Sequence, residues 1–187
     1  TSWLIPGSES TSYNVPAARL GSCFAFAMTV LLLSEFCQRR YGWASAVCVS
    51  VLMISTPAVT GHARLAALES ATNLAWVAAL LPLLAWWTDS RPPSALRACL
   101  SGVLWGLLLL TKVQGVLLPP IVILWAVWQY RWQGLRPLIW WTLCGSVVFL
   151  LAWPWLWLDP IHNLQHYLGR TADRPTLYCW YFGERFA

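Results

Sequence analysis

The chain has 187 residues, 58% of them hydrophobic and 10% charged, with 15 tryptophans and a mean hydropathy of +0.56. Soluble domains carry roughly 25% charged residues, so this composition excludes a water-surrounded globule, and with it disordered, collagen-like and low-complexity chains. The 12 Lys and Arg against 7 Asp and Glu leave a net charge of +5; in so apolar a chain this reflects membrane topology rather than a nucleic-acid partner, because basic residues collect in cytoplasmic loops.

Residues 1–16, TSWLIPGSESTSYNVP, show no basic stretch followed by an apolar core and read as the tail of an external loop. Six uncharged runs follow, at 20–34, 41–63, 70–88, 98–111, 113–130 and 137–158. A hydrocarbon core of about 30 Å needs roughly 17 to 20 helical residues, which four of these runs supply unaided. The run 20–34 is extended by Phe36 and Cys37, with Glu35 placed to pair with Arg39 four residues on. The run 98–111 is the shortest, and Arg97 and Lys112 lengthen it by reaching outward from its ends. An all-α, polytopic membrane protein of about six transmembrane helices is expected, with 17–158 as the bundle of a single transmembrane domain covering 1–187. Strands do not fit, because GVLWGLLLLT and SVVFLLAWPWLWL are apolar at nearly every position instead of alternating. Pro82, Pro119, Pro120 and Pro154 predict kinks or short unwound turns.

The connecting loops alternate in charge. Those around Arg39 and Arg40, Arg91 and Arg97, and Arg131 and Arg136 hold two basic residues each, whereas the intervening loops hold one each, Arg64 and Lys112. The doubly basic set is therefore placed in the cytoplasm. The N-terminal segment, the Arg64 and Lys112 loops and the C-terminal tail then share the outer side. Trp43, Trp86, Trp87, Trp132, Trp140 and Trp141 read as an inner aromatic belt, and Trp153, Trp155 and Trp157 as an outer one.

After the last run, DPIHNLQHYLGR predicts a short amphipathic helix on the outer surface. Asp159 suits its N-cap, Pro160 its first position and Gly169 its stop, with Ile161, Leu164 and Leu168 on one face opposite His162 and His166. Residues 159–187 form an external juxtamembrane segment. The six cysteines lie mostly in apolar surroundings with no C-x-x-C, so neither disulfides nor a zinc site is expected.

Arg64, Glu69 and Lys112 combine charge with proximity to the bilayer on the outer side. A cation there is what holding the phosphate of a lipid-linked substrate requires. Each has a second reading: Lys112 as the anchor of a helix end, and Glu69 as an acid favoured at a helix N-terminus. His162 and His166 have the i, i+4 spacing of a metal-binding helix but lack a third ligand in the pattern. Tyr178, Trp180, Tyr181 and Phe182 offer faces for stacking on a sugar or for packing. No nucleotide-binding loop or Ser-His-Asp spacing is visible; no cofactor is called for, and a divalent metal stays open.

The order P-x4-HARLAALES from Pro57 to Ser70, GVLWGLLLLTK, WPWLWLDP and YFGE resembles family 39 glycosyltransferases of the GT-C superfamily, which include protein O-mannosyltransferases and aminoarabinose transferases. The resemblance runs from Arg19 to Glu184. It implies transfer of a sugar, hexose or pentose, from a polyprenyl-phosphate donor to a hydroxyl of a protein or lipid acceptor. The transfer takes place with inversion, on the outer face, here the periplasmic face of a bacterial inner membrane. Glu69 stands where relatives usually carry Asp, the carboxylate kept on a longer arm; of the residues read above, Arg64 and Lys112 would serve the carrier phosphate and Tyr178 and Tyr181 the sugar. The acceptor-activating Asp of such enzymes follows their first span, upstream of this chain, so the chain is expected to be an internal fragment, inactive alone. A transporter or a structural membrane subunit is the alternative. The runs carry no charge near their centres, which disfavours a transport path.

Overall fold

A computed structural model of the chain describes residues 15–64, 68–169, 179–181 and 184–186, with side chains for 19–61, 63 and 68–169. The architecture is all-α, apart from one small hairpin. The chain divides into two compact units, residues 1–81 and 82–187.

In the first unit, α1 (Val15–Tyr41) is followed by α2 (Trp43–Ser55) and α3 (Pro57–Arg64), and α4 (Leu68–Trp86) begins. Gly42 makes the reversal between α1 and α2 at φ 92° and ψ 175°, a conformation open to glycine alone among common residues. The ties across the pair run in opposite senses. Ser34 and Ser50 hydroxyls meet at 2.7 Å, and the Cys23 thiol donates to the Ala63 carbonyl at 3.2 Å, so α2 and α3 in succession lie antiparallel along α1. Small buried side chains, Ser22, Ala25 and Thr29 on α1 and Ala46 on α2, permit the approach. Large apolar side chains such as Phe24, Leu31, Leu52 and Ile54 point outward.

The run 41–63 is thus not one helix. Thr56 is extended (φ −78°, ψ 109°) because the ring of Pro57 disfavours helical geometry in the residue before it. The break is capped locally: the Thr56 amide and hydroxyl both donate to the Leu52 carbonyl, at 3.1 and 2.6 Å.

The second unit contains α5 (Ala95–Thr111), a 3-10 turn (Val113–Leu117), α6 (Leu118–Tyr130), a second 3-10 turn (Arg131–Gly134), α7 (Leu135–Ala152), α8 (Trp155–Leu158) and α9 (Pro160–Gly169). A hairpin, β1 (Cys179–Tyr181) with β2 (Glu184–Phe186), pairs Tyr181 with Glu184. Its three-residue strands are too short to show alternation in the sequence. The core of the unit is the α5–α7 seam. A methyl group on Gly102 would strike the Trp141 carbonyl, and one on Gly106 would lie 2.5 Å from the Gly145 carbonyl. Position 102 meets 141 and position 106 meets 145, so the two helices run parallel, at backbone contact that the G-x-x-x-G of α5 makes possible. The Trp105 ring covers Gly145 and stacks on Trp141 at 4.5 Å. Trp87 closes the cluster edge-on to Trp141, its indole donating to the Ser101 hydroxyl.

Trp87 and Trp141, 1% and 0% exposed, are therefore core residues and not belt residues, because Trp105 stacks on Trp141 and Trp87 packs edge-on against it. Trp43 and Trp132, at 73% and 84%, remain outward. Arg19–Tyr41, Leu68–Trp86 and the stretch Val113–Ala152 are long and apolar enough to cross a membrane, and Trp43–Ser55 and Ala95–Thr111 are shorter apolar helices. The prolines act differently from one another. α4 runs through Pro82 with no unwound turn. Pro119 and Pro120 sit in the first turn of α6, where a missing N–H costs no helical bond. Pro154 follows the end of α7.

Candidate functional site

The parallel course of α5 and α7 gives the second unit two chemically distinct ends. Both helices start at one, where the Arg91/Arg97 and Arg131/Arg136 loops come together around a cleft of about 320 Å³ lined by Pro92, Pro93, Ser94, Gln133, Arg136 and Trp140. The end of α6 is fastened there: the Trp87 carbonyl accepts from the Trp125 indole at 2.9 Å and the Tyr130 hydroxyl at 2.6 Å. Lys112, the only lysine in the sequence, closes α5 at the opposite end. Within the first unit the same separation holds, with Arg39 and Arg40 in the last turn of α1 and Arg64 ending α3 at the other extreme of the antiparallel pair.

Lys112 is extended (φ −153°, ψ 139°), its amide donating to the Leu108 carbonyl at 3.2 Å. The last carbonyls of a helix need partners from outside it, and aromatic donors supply them around this residue. The Tyr167 hydroxyl of α9 donates to the Leu109 carbonyl at 2.7 Å. The Trp105 indole donates to the Gly115 carbonyl at 3.0 Å, four residues before Pro119, which has no N–H to offer. The Trp157 indole donates to the Leu150 carbonyl at 2.6 Å, where Pro154 would otherwise leave it bare. Phe149 and Trp153 of the α7 end flank the Tyr167 ring, at 5.9 and 4.8 Å. Burial pushes the Tyr167 hydroxyl above the usual tyrosine range, which keeps it a protonated donor.

α9 forms with the expected caps: the Asp159 carboxylate accepts from the His162 amide at 3.3 Å, and the helix ends at Gly169. It docks through its polar residues. Asn163 is buried and donates to the Trp155 carbonyl at 2.8 Å, and Tyr167 follows one turn later. Ile161, Leu164 and Leu168 stay exposed, Ile161 at 74%. An apolar face left outward is what a helix lying on a bilayer presents.

Glu69 lies in the first turn of α4, where a carboxylate complements the helix dipole. The Arg64 side chain and the Tyr181 side chain lie outside the described side chains, and Tyr178 lies outside the described residues. Arg64 and Glu69 belong to the first unit, and Lys112, Tyr178 and Tyr181 to the second. His162 and His166 are exposed with ring centroids 6.4 Å apart, and among the described residues no group of three metal ligands occurs. The sequence reading missed Tyr167 and Asn163. Their i, i+4 spacing is visible in the sequence, but nothing in it says that this polar stripe, and not the apolar face, turns toward the protein.

The apolar helical scaffold, with Lys112 at one end of its second unit and arginines at the other, matches a known family. The profile described as dolichyl-phosphate-mannose-protein mannosyltransferase matches residues 2–158. The chain belongs to this family. It is accordingly a membrane glycosyltransferase domain of the GT-C type, and its family context is a lipid-linked sugar donor at a membrane. The matched segment contains Arg64, Glu69 and Lys112. It stops short of α9 and the hairpin, so the resemblance of YFGE to the family pattern falls outside it. No curated protein and no solved structure matches the chain.

Proposed function

We propose that this mannosyltransferase-family domain is part of a family 39 enzyme that transfers a hexose or pentose from a polyprenyl-phosphate carrier to a hydroxyl acceptor on protein or lipid. Transfer proceeds with inversion on the outer face of the membrane, in a bacterium the periplasmic face. Departure of the lipid phosphate leaves negative charge that fixed cations stabilise in a low-dielectric setting. Lys112 and Arg64 are the cations assigned to that phosphate, Glu69 a second acidic residue of the site, and Tyr178 and Tyr181 the sugar contacts.

The observation that supports this most is the position of Lys112. It stands at the end of its unit opposite Arg91, Arg97, Arg131 and Arg136, on a turn fixed by bonds from Trp105 and Tyr167. Helix anchoring alone would not call for a turn tied from two sides. The positive-inside distribution favours the outer side for this end, and the exposed apolar face of α9 is consistent with a bilayer surface there.

The test is turnover of polyprenyl-phosphate mannose by the membrane-reconstituted enzyme at matched protein level. Charge-assisted phosphate contacts contribute about 1.5–3 kcal/mol, so Lys112→Ala and Arg64→Ala should each lower kcat/KM by roughly ten- to a hundredfold. Lys112→Arg should retain part of the activity, because charge is kept but a planar fork replaces a point charge. Normal turnover by both alanine variants would make the two cations membrane anchors.

A further inference from the structure

Three elements converge on one side chain at the Lys112 end. Tyr167 belongs to α9, its hydroxyl caps the Leu109 carbonyl in the last turn of α5, and its ring sits against Phe149 and Trp153 at the end of α7. α9 is held besides through buried Asn163, which donates to the Trp155 carbonyl. The turn that Tyr167 caps carries Lys112. On the far side of Lys112 the chain is pinned again by Trp105 at Gly115. Removing the Tyr167 hydroxyl would keep the ring that packs against Phe149 and Trp153 and would free the Leu109 carbonyl, three residues from Lys112.

We infer that α9 is a strap across the end of the helix bundle and that Tyr167 is a positioning residue which fixes the last turn of α5 and so sets where the Lys112 ammonium stands. This rests on the reading of Lys112 as the ligand of the carrier phosphate, and it adds the element that controls that ligand. Tyr167 does not touch the donor. It acts through the backbone of α5, so its loss weakens donor binding and leaves the chemical step nearly unchanged.

Two measurements decide it. Because Lys112 is the only lysine, acylation by a water-soluble amine reagent, followed on the Lys112 peptide by mass spectrometry, reads this position alone in the membrane-reconstituted chain and needs no turnover. Tyr167→Phe should speed acylation about fivefold, the ratio that loss of one hydrogen bond of typical strength gives. In turnover, Tyr167→Phe should raise KM for polyprenyl-phosphate mannose by a similar factor with kcat held within about twofold. The KM effect should vanish in the Lys112→Ala background, since both changes act through one group.

Unchanged acylation in Tyr167→Phe would overturn the inference. So would a KM increase that persists undiminished on Lys112→Ala, because Tyr167 would then act on something else. If Lys112→Ala itself leaves KM unaltered while Tyr167→Phe still speeds acylation, the strap stands and the phosphate assignment of Lys112 falls.

Discussion

The two helix pairs solve the same problem by different means. α1 with α2 and α3 is a local, antiparallel hairpin closed by Gly42 and tied by hydroxyl and thiol bonds, Ser34 to Ser50 and Cys23 to Ala63. α5 with α7 is a parallel pair of helices separated by a third; a thiol contact between Cys99 and Cys144 joins them, but over most of the seam glycine backbones touch and a tryptophan cluster closes over them. In lipid there is no hydrophobic drive to press helices together, so packing and small residues decide association. A hairpin holds its partner nearby through the chain itself. The non-consecutive pair must win its partner by surface fit, and there the sequence has placed its glycines.

Three substitutions probe this contrast. The largest effect is expected at the parallel seam. Gly145→Val would drive a branched side chain into the Trp105 ring and the Gly102 carbonyl, which lies 2.8 Å from even a first methyl carbon. Overpacking of this kind costs about 1–3 kcal/mol or more, and the variant should show lost tryptophan stacking in near-UV circular dichroism and a markedly lower melting temperature in detergent. Next comes Gly42→Ala, which forces an L side chain to φ 92° at about 1–3 kcal/mol. Thermal unfolding should drop while the Trp105–Trp141 signal in the folded baseline stays. The smallest is Ser34→Ala, since interhelical hydroxyl bonds in membranes average about 0.6 kcal/mol. Its melting temperature should fall by only a few degrees, and a loss as large as that of Gly145→Val would mean that the polar tie, and not chain connectivity, holds the α1–α2 pair.

The sequence disclosed what is periodic or charged. Uncharged runs located the helices, and the alternation of loop arginines anticipated the two ends of each unit. The caps of α9, Asp159 and Gly169, were also legible. What it hid depends on partners distant along the chain. Nothing in HARLAALES or VLWGLLLLT says that Trp141 will stack on Trp105, or that Trp87 and Trp141 leave the belt for the core. Thr56 is a different case: the proline rule was available, but the unbroken apolar run from 41 to 63 outweighed it. The Lys112 assignment came from position along the chain, whereas the bonds that frame it arise from Tyr167, fifty-five residues later, and from Trp105 folding back on Gly115.

Pro154 and Trp157 carry a consequence for how such a sequence can drift. The proline withholds a donor from Leu150, and the indole three residues on supplies one. Neither position is then free to change on its own terms. Loss of the indole is costly while the proline stands and nearly silent once an ordinary residue restores the amide. The order in which the two substitutions occur decides which is tolerated, so descendants of this chain should keep both residues or have abandoned the proline first.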